Sequence, residues 1–288
     1  MPGTLRLLFP QWQGGNNPTY HLGARLLAWL APANEKDIQA EVPIELPLDI
    51  ELPLENGIVA RSVLLNQLKS ATKIIEEHSP DRIIVFGGDC LVSQAPFAYL
   101  NEKYNGQLGV LWFDAHPDVS TPEMMPHAHA MVLGNLLSGG DAEFAKMVKV
   151  PIKPSFVMYC GLEKMLPKEN DIVAKYGIEI AESQELAQSS NSVLNWIADN
   201  KIQHLAIHLD IDVLDPKFYR DTYAAKPGGY PYETTDGTMT FNQVAKVIKD
   251  VLTKVAIVGF SIAEHLPWDA YNLQAFLSEL PIFNDAIG

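Results

Sequence analysis

Asp114, His116 and Asp118 stand at i, i+2 and i+4 in the segment DAHPD, directly after the apolar run LGVLWF. If the strand of that run continues, period-2 alternation places all three side chains on one face. Asp210 and Asp212 repeat the pattern after LAIHL. Four carboxylates and an imidazole gathered in one place repel one another without a counter-charge. Carboxylate plus imidazole is a ligand set for Mn2+, Zn2+ or Fe2+, and more than three carboxylates able to bridge suggests two metals. A lone D-x-D is most often a solvated turn. Two such groups, each behind a buried strand, favour a metal site.

The elements that must position these groups are legible as short apolar runs. Arg82 to Phe86, Leu108 to Phe113, Phe156 to Cys160, Leu205 to Leu209 and Val255 to Phe260 read as buried strands. Helical periodicity separates them, from about Ile58 to His78 and around Ala142 to Lys149, Asn191 to Asp199 and Phe241 to Leu252. Nearly continuous hydrophobic strands alternating with helices indicate an α/β fold with a parallel sheet covered on both faces. Polar residues follow each strand at once: GGDC, DAHPD, GLEK, DIDVLDP and SIAEHLP. Ligands in such sheets bind outside the carboxyl ends of the strands, so five strands point chemistry toward one rim. A Pro-, Gly- and Tyr-rich excursion from Lys217 to Gly237 reads as a long functional loop or a surface insertion.

Composition sets outer bounds. The 288 residues carry 21 basic and 35 acidic side chains, a formal charge of −14, which disfavours nucleic acid and anionic lipid surfaces as partners. No apolar stretch approaches the ~20 residues of a membrane-spanning helix. Two cysteines, Cys90 and Cys160, are too few for a disulfide framework, and with an N-terminus that lacks a signal-peptide pattern they point to the cytoplasm. Cys160 reads as core. No internal linker is evident, so residues 1–288 are expected to form one domain.

In order and spacing, GGDC, WFDAHPD, HAMVLGNLL, HLDIDVLDP and GFSIAEHLP resemble the ureohydrolase family of arginases and agmatinases, from Gln13 to about Pro267. The resemblance implies a three-layer αβα fold with an eight-stranded, mainly parallel sheet, assembled into homo-oligomers, trimers or hexamers. It also implies a binuclear Mn2+ site that hydrolyses a small cationic guanidino substrate to urea and an amine. Carried over by position, Asp114 and Asp210 match bridging carboxylates, His116 and Asp212 terminal ligands of one metal, and Asp118 a ligand of the other. Two Mn2+ about 3.5–4 Å apart lower the pKa of a shared water and make hydroxide available near neutral pH. Asp118 is then placed to pass a proton to the leaving amine. Glu264 matches the carboxylate that pairs with the guanidinium, and His129 the proton shuttle, with His127 a competing candidate.

Three positions depart from the family pattern. Cys90 stands where the family's GGDH motif has its terminal histidine ligand. The metal site there is then weak or empty, or takes Zn2+ or Fe2+ instead, or Cys90 is merely a buried thiol. Leu166 stands where arginases carry an aspartate that reads the substrate's α-amino group, whereas the neighbouring glutamate is retained as Glu169. Ser120 stands where they carry an asparagine for the α-carboxylate, followed by an arginase-like Thr121-Pro122 pair. Arginine is therefore the first substrate to test. The alternative is a catalytically impaired family member with a binding or structural role; an amide deacetylase of similar fold fits the motifs less well.

Overall fold

A computed structural model describes residues 3–47, 51–163, 165–229 and 237–279. Ten strands occur among them: β1 (Thr4–Phe9), β2 (Ile38–Glu41), β3 (Leu54–Glu55), β4 (Ile58–Val59), β5 (Arg82–Gly87), β6 (Leu108–Phe113), β7 (Val157–Cys160), β8 (Glu179–Ala181), β9 (His204–Asp210) and β10 (Ala256–Ala263). Eight of them form one sheet in the order β2-β1-β5-β10-β9-β6-β7-β8, and every pairing in it is parallel. β3 and β4 make a separate antiparallel hairpin.

Alternation along each strand feeds two cores, one on each face of the sheet. Val110 and Trp112 of β6 and Tyr159 of β7 join one core, and Leu111, Phe113 and Cys160 join the other. Cys160 is fully buried, as expected of a core residue. The described α-helices are, in chain order, α1 (Thr19–Leu30), α2 (Arg61–His78), α3 (Gln94–Lys103), α4 (Val132–Leu136), α5 (Ala142–Lys146), α6 (Pro167–Tyr176), α7 (Ser183–Gln188), α8 (Asn191–Asp199), α9 (Phe241–Leu252) and α10 (Trp268–Glu279), and of these α2 and α3 cover the first face. Helices α8 (Asn191–Asp199) and α9 (Phe241–Leu252) cover the second. The result is the three-layer αβα fold.

Local sequence explains where these helices begin and end. In α2, Leu64, Leu68, Ala71 and Ile75 recur at helical spacing and are buried. The helix starts at Arg61, not at Ile58: the expected first turn belongs to β4, and Ala60, at φ 53°, turns the chain between them. A capping box starts α9, with the Gln243 N–H donating to Thr240 Oγ1 and the Thr240 N–H donating to Gln243 Oε1. The helix expected over Ala142 to Lys149 is shorter, ending at Lys146. The excursion from Lys217 packs near the chain that follows β10: Trp268 Nε1 donates to the Thr222 carbonyl at 2.8 Å, and Leu266 N–H donates to that of Asp221. Residues 230–236 of this excursion lie outside the described residues. No described helix is long and apolar enough to cross a membrane.

Candidate metal centre

Sheet register decides which residues meet. β6 and β9 are neighbours with Phe113 opposite Leu209, so Asp114 and Asp210, each one residue further, emerge side by side. β9 also pairs with β10, placing Ala263 opposite Asp210 and bringing Glu264 to the same rim. β5 lies on the far side of β10, and its following 3-10 turn, Cys90–Ser93, carries Cys90 to that rim.

Strand alternation does not gather the DAHPD residues. β6 ends at Phe113, and Asp114 Oδ1 accepts the His116 N–H at 2.6 Å, turning the chain at once. Asp118 adopts φ 51°, and Glu264 adopts φ 61°. Left-handed backbone at a non-glycine residue is uncommon and concentrates at functional sites. A turn and two left-handed residues assemble this part of the site.

Three groups of side chains each offer ligand atoms within 4.8 Å of one another: Cys90, Asp114, His208 and Asp210; Asp114, His116 and Asp212; and Asp210, Asp212 and Glu264. The groups overlap at Asp114, Asp210 and Asp212. Asp118 belongs to none of them, but it is buried beside them and its Oδ2 has no hydrogen-bond partner. His208 was not among the residues expected from the sequence. It lies two residues before Asp210, a spacing that shares a strand face, but the run LAIHL reads as strand interior and hides it.

The electrostatics favour a cation. Burial raises the Asp114 carboxyl to about 7, with Asp212 adding to the effect. Burial also pushes Asp118 and Asp210 well above the usual carboxylate range, reinforced by Asp114 at the first and by Asp212 at the second. At Asp212 burial acts in the same direction, but the His116 ring together with the Ala115 N–H that donates to Oδ1 outweighs it and holds the carboxyl low. Burial disfavours charge on His116, yet Asp212, 2.8 Å from its Nδ1, and Asp114 hold its pKa well above that of an ordinary imidazole. Among the described residues, the ion-pair partners of these carboxylates are histidines, never lysine or arginine. Buried carboxylates with so little positive charge, plus two buried ligand atoms without partners, fit a divalent-cation site.

Glu264 is held from three directions. Tyr20, fully buried, donates its hydroxyl to Oε2 at 2.5 Å; His129 Nδ1 lies 2.6 Å and Cys90 Sγ 3.5 Å from Oε1. His127 makes no such contact, and its Nδ1 has no partner. Geometry therefore joins His129, and not His127, to the cluster. The turn behind the site is tightly packed: a Cβ on Gly88 would fall 1.6 Å from the Gln11 carbonyl oxygen, and the Gly88 carbonyl accepts the Glu264 N–H at 2.7 Å.

A model of the arginase family matches residues 17–272. The chain belongs to the arginase family. Mitochondrial arginase of Medicago truncatula is 25% identical over 205 residues, which cover 71% of this chain and 54% of that protein. The chain thus spans about half the length of this plant relative. An arginase of Entamoeba histolytica is 28% identical over 223 residues, 73% of each chain. The solved structure of Entamoeba histolytica arginase in complex with L-ornithine superposes with a TM-score of 0.76 at 19% identity, over 96% of both chains. That likeness establishes the fold.

In this arginase-family chain, Ser120 and Glu169 meet each other. Ser120 Oγ donates to Glu169 Oε1 at 2.5 Å, and the Leu166 N–H donates to Oε2 at 2.9 Å. Glu169 thereby closes the start of α6 (Pro167–Tyr176), while the Leu166 side chain is exposed. Both carboxylate oxygens of Glu169 are engaged within the protein.

Proposed function

We propose that the chain is a metal-dependent hydrolase of a guanidino or amidino C–N bond, releasing urea and an amine from a small cationic substrate. The overlap of three ligand groups at Asp114, Asp210 and Asp212 carries this proposal, because carboxylates shared between groups suit a pair of cations. Asp114, His116, Asp118, Asp210, Asp212 and Cys90 are the proposed ligands, with Cys90 in the place of a family histidine. Two Mn2+ are the ions expected from the family, and Cys90 leaves room for a different divalent metal. When bound, two divalent cations supply hydroxide near neutral pH by lowering the pKa of a shared water.

The chain's own residues do the rest. Glu264 presents a carboxylate to the planar guanidinium, with the Tyr20 hydroxyl holding one oxygen and fixing its direction. Asp118 takes the remaining proton of the attacking hydroxide oxygen in the tetrahedral intermediate and returns it to the leaving nitrogen, so that the C–N bond breaks with neutral urea and a neutral amine departing. His129, linked to Glu264, passes to solvent the proton that a replacement water gives up before the next turnover. Ser120 and Glu169 are proposed at the substrate's far end, where a bound substrate must compete for their mutual hydrogen bond. A homo-oligomer, trimeric or hexameric, located in the cytoplasm completes the proposal.

The test is release of urea or ammonia from a panel of guanidino and amidino compounds, arginine first, with added Mn2+, Fe2+ or Zn2+. Turnover of one member is expected. No turnover with any metal would sink the proposal.

A further inference from the structure

His208 is a fully buried histidine whose Nε2 has no hydrogen-bond partner. Its ring stacks on Trp112, with centroids 3.8 Å apart and planes within 15°. Its Nδ1 lies 2.8 Å from Ser93 Oγ, which is 2.7 Å from Ser261 Oγ. A chain in which Nδ1–H donates to Ser93 and Ser93 donates to Ser261 leaves the Nε2 lone pair free. His208 belongs to the group with Cys90, Asp114 and Asp210, and its Nε2 is 3.9 Å from Asp114 Oδ2.

Two further contacts bind this pocket together. Trp112 stacks on His208 and also donates its indole N–H to Asp114 Oδ2 at 2.9 Å. The 3-10 turn Cys90–Ser93 supplies both Cys90 and the hydroxyl beside His208. Cys90 Sγ is 2.8 Å from Asp210 Oδ2. A phenylalanine could stack on Trp112 equally well without burying an unpaired nitrogen. An imidazole fixed through its far nitrogen, with the near one free, is instead the usual arrangement of a metal ligand.

We infer that Cys90, His208, Asp114 and Asp210 form a mixed sulfur, nitrogen and oxygen pocket that prefers Zn2+ to Mn2+, with His208 Nε2 as its imidazole ligand. The inference rests on the reading of the carboxylate cluster as a metal centre. Thiolate and imidazole ligands suit Zn2+, whereas Mn2+ favours oxygen. Asp212 and His116, on the other side of Asp114, offer no sulfur and leave that position to a harder ion. On binding, the Cys90 thiol gives up its proton to solvent and the sulfur bonds the ion.

X-ray absorption at the zinc edge of the intact chain, stripped and reloaded with one equivalent of Zn2+, tests this directly. One sulfur neighbour near 2.3 Å and at least one imidazole are expected. Cys90→Ser should remove the sulfur and retain the imidazole. His208→Phe, which preserves the stack on Trp112, should weaken Zn2+ binding about 100-fold or more, since even a residue supporting a ligand is worth 10–100-fold. A shell of oxygen alone, or a Zn2+ affinity unchanged in both variants, would overturn the inference. Should His208→Phe fail to fold, the absorption spectra of the native chain and of Cys90→Ser decide. Guanidino turnover by a centre without sulfur or His208 would refute this inference and leave the proposed function standing. A Cys90- and His208-bound Zn2+ with no turnover would do the reverse.

Discussion

Metal uptake by the stripped protein should expel protons, and the count follows from the cluster. At pH 6.5 a carboxyl with a pKa of about 7, such as Asp114, is about three-quarters protonated. Burial and neighbouring carboxylates also raise Asp118 and Asp210, and Asp212 and Asp114 raise His116 against its burial, so each of these groups favours its protonated form in the stripped site. Burial holds His208 down to about 3, so it is already neutral and releases nothing. Asp114 alone accounts for about three-quarters of a proton, and the three groups shifted in the same direction should bring the total above one. The apparent affinity should then rise at least about tenfold from pH 6 to pH 7, since each proton released adds a factor of ten per unit. Titration calorimetry with MnCl2 at pH 6.5, in buffers of different ionisation enthalpy, counts the protons. With ZnCl2 the Cys90 thiol should add about one more, and Cys90→Ser should remove it. Release of less than one proton per chain, with an affinity indifferent to pH, would refute the assignment of these residues as ligands.

Tyr20→Phe leaves Glu264 Oε2 without its hydroxyl partner. A hydrogen bond to a charged group is worth about 1.5–3 kcal/mol, so kcat/KM on the turned-over guanidino compound should fall roughly 10- to 100-fold at unchanged metal content. An unaltered rate would remove Tyr20 from the positioning of Glu264. Arg61 reaches Asp141 and Glu143, both at 2.7 Å, and Asp141 is itself buried. Arg61→Met strands that carboxylate and should cost about 3–5 kcal/mol in urea unfolding; a loss under 1 would show that the pair is well solvated. Burial lowers the His265 pKa to about 4, so the folded chain favours the neutral ring. The stability this confers is full above pH 6.5 and is lost as pH falls toward 4, because the unfolded chain binds the proton first. The drop in unfolding free energy between pH 7 and pH 4 should therefore be about 3 kcal/mol smaller in His265→Gln. Equal drops would mean that the ring is protonated at little cost in the fold.

Much of this was readable because buried parallel strands write themselves as unbroken apolar runs. β5, β6, β7, β9 and β10 were visible in this way, each followed at once by its polar rim. β1, β2 and β8 are not: Arg6 interrupts the apolar run of β1, and the edge strands β2 and β8 are four and three residues long with exposed positions that resemble loop sequence. For Asp114, His116 and Asp118 the convergence was foreseen from alternation, but turn geometry and a left-handed Asp118 produce it. His208 has no such signature, because a histidine within an apolar strand reads as packing until register shows what it faces. The bond between Ser120 and Glu169 joins residues 49 apart and has no local signature.

Two cations are proposed to sit among the buried carboxylates. A metal count by mass spectrometry on the intact chain, loaded with Mn2+ and Zn2+ and then dialysed, tests this most directly. Two divalent ions per chain are predicted, falling when Asp114 or Asp210, each shared between ligand groups, is changed to asparagine. A chain that retains no ion, or holds its ions unchanged in both variants, would contradict the account.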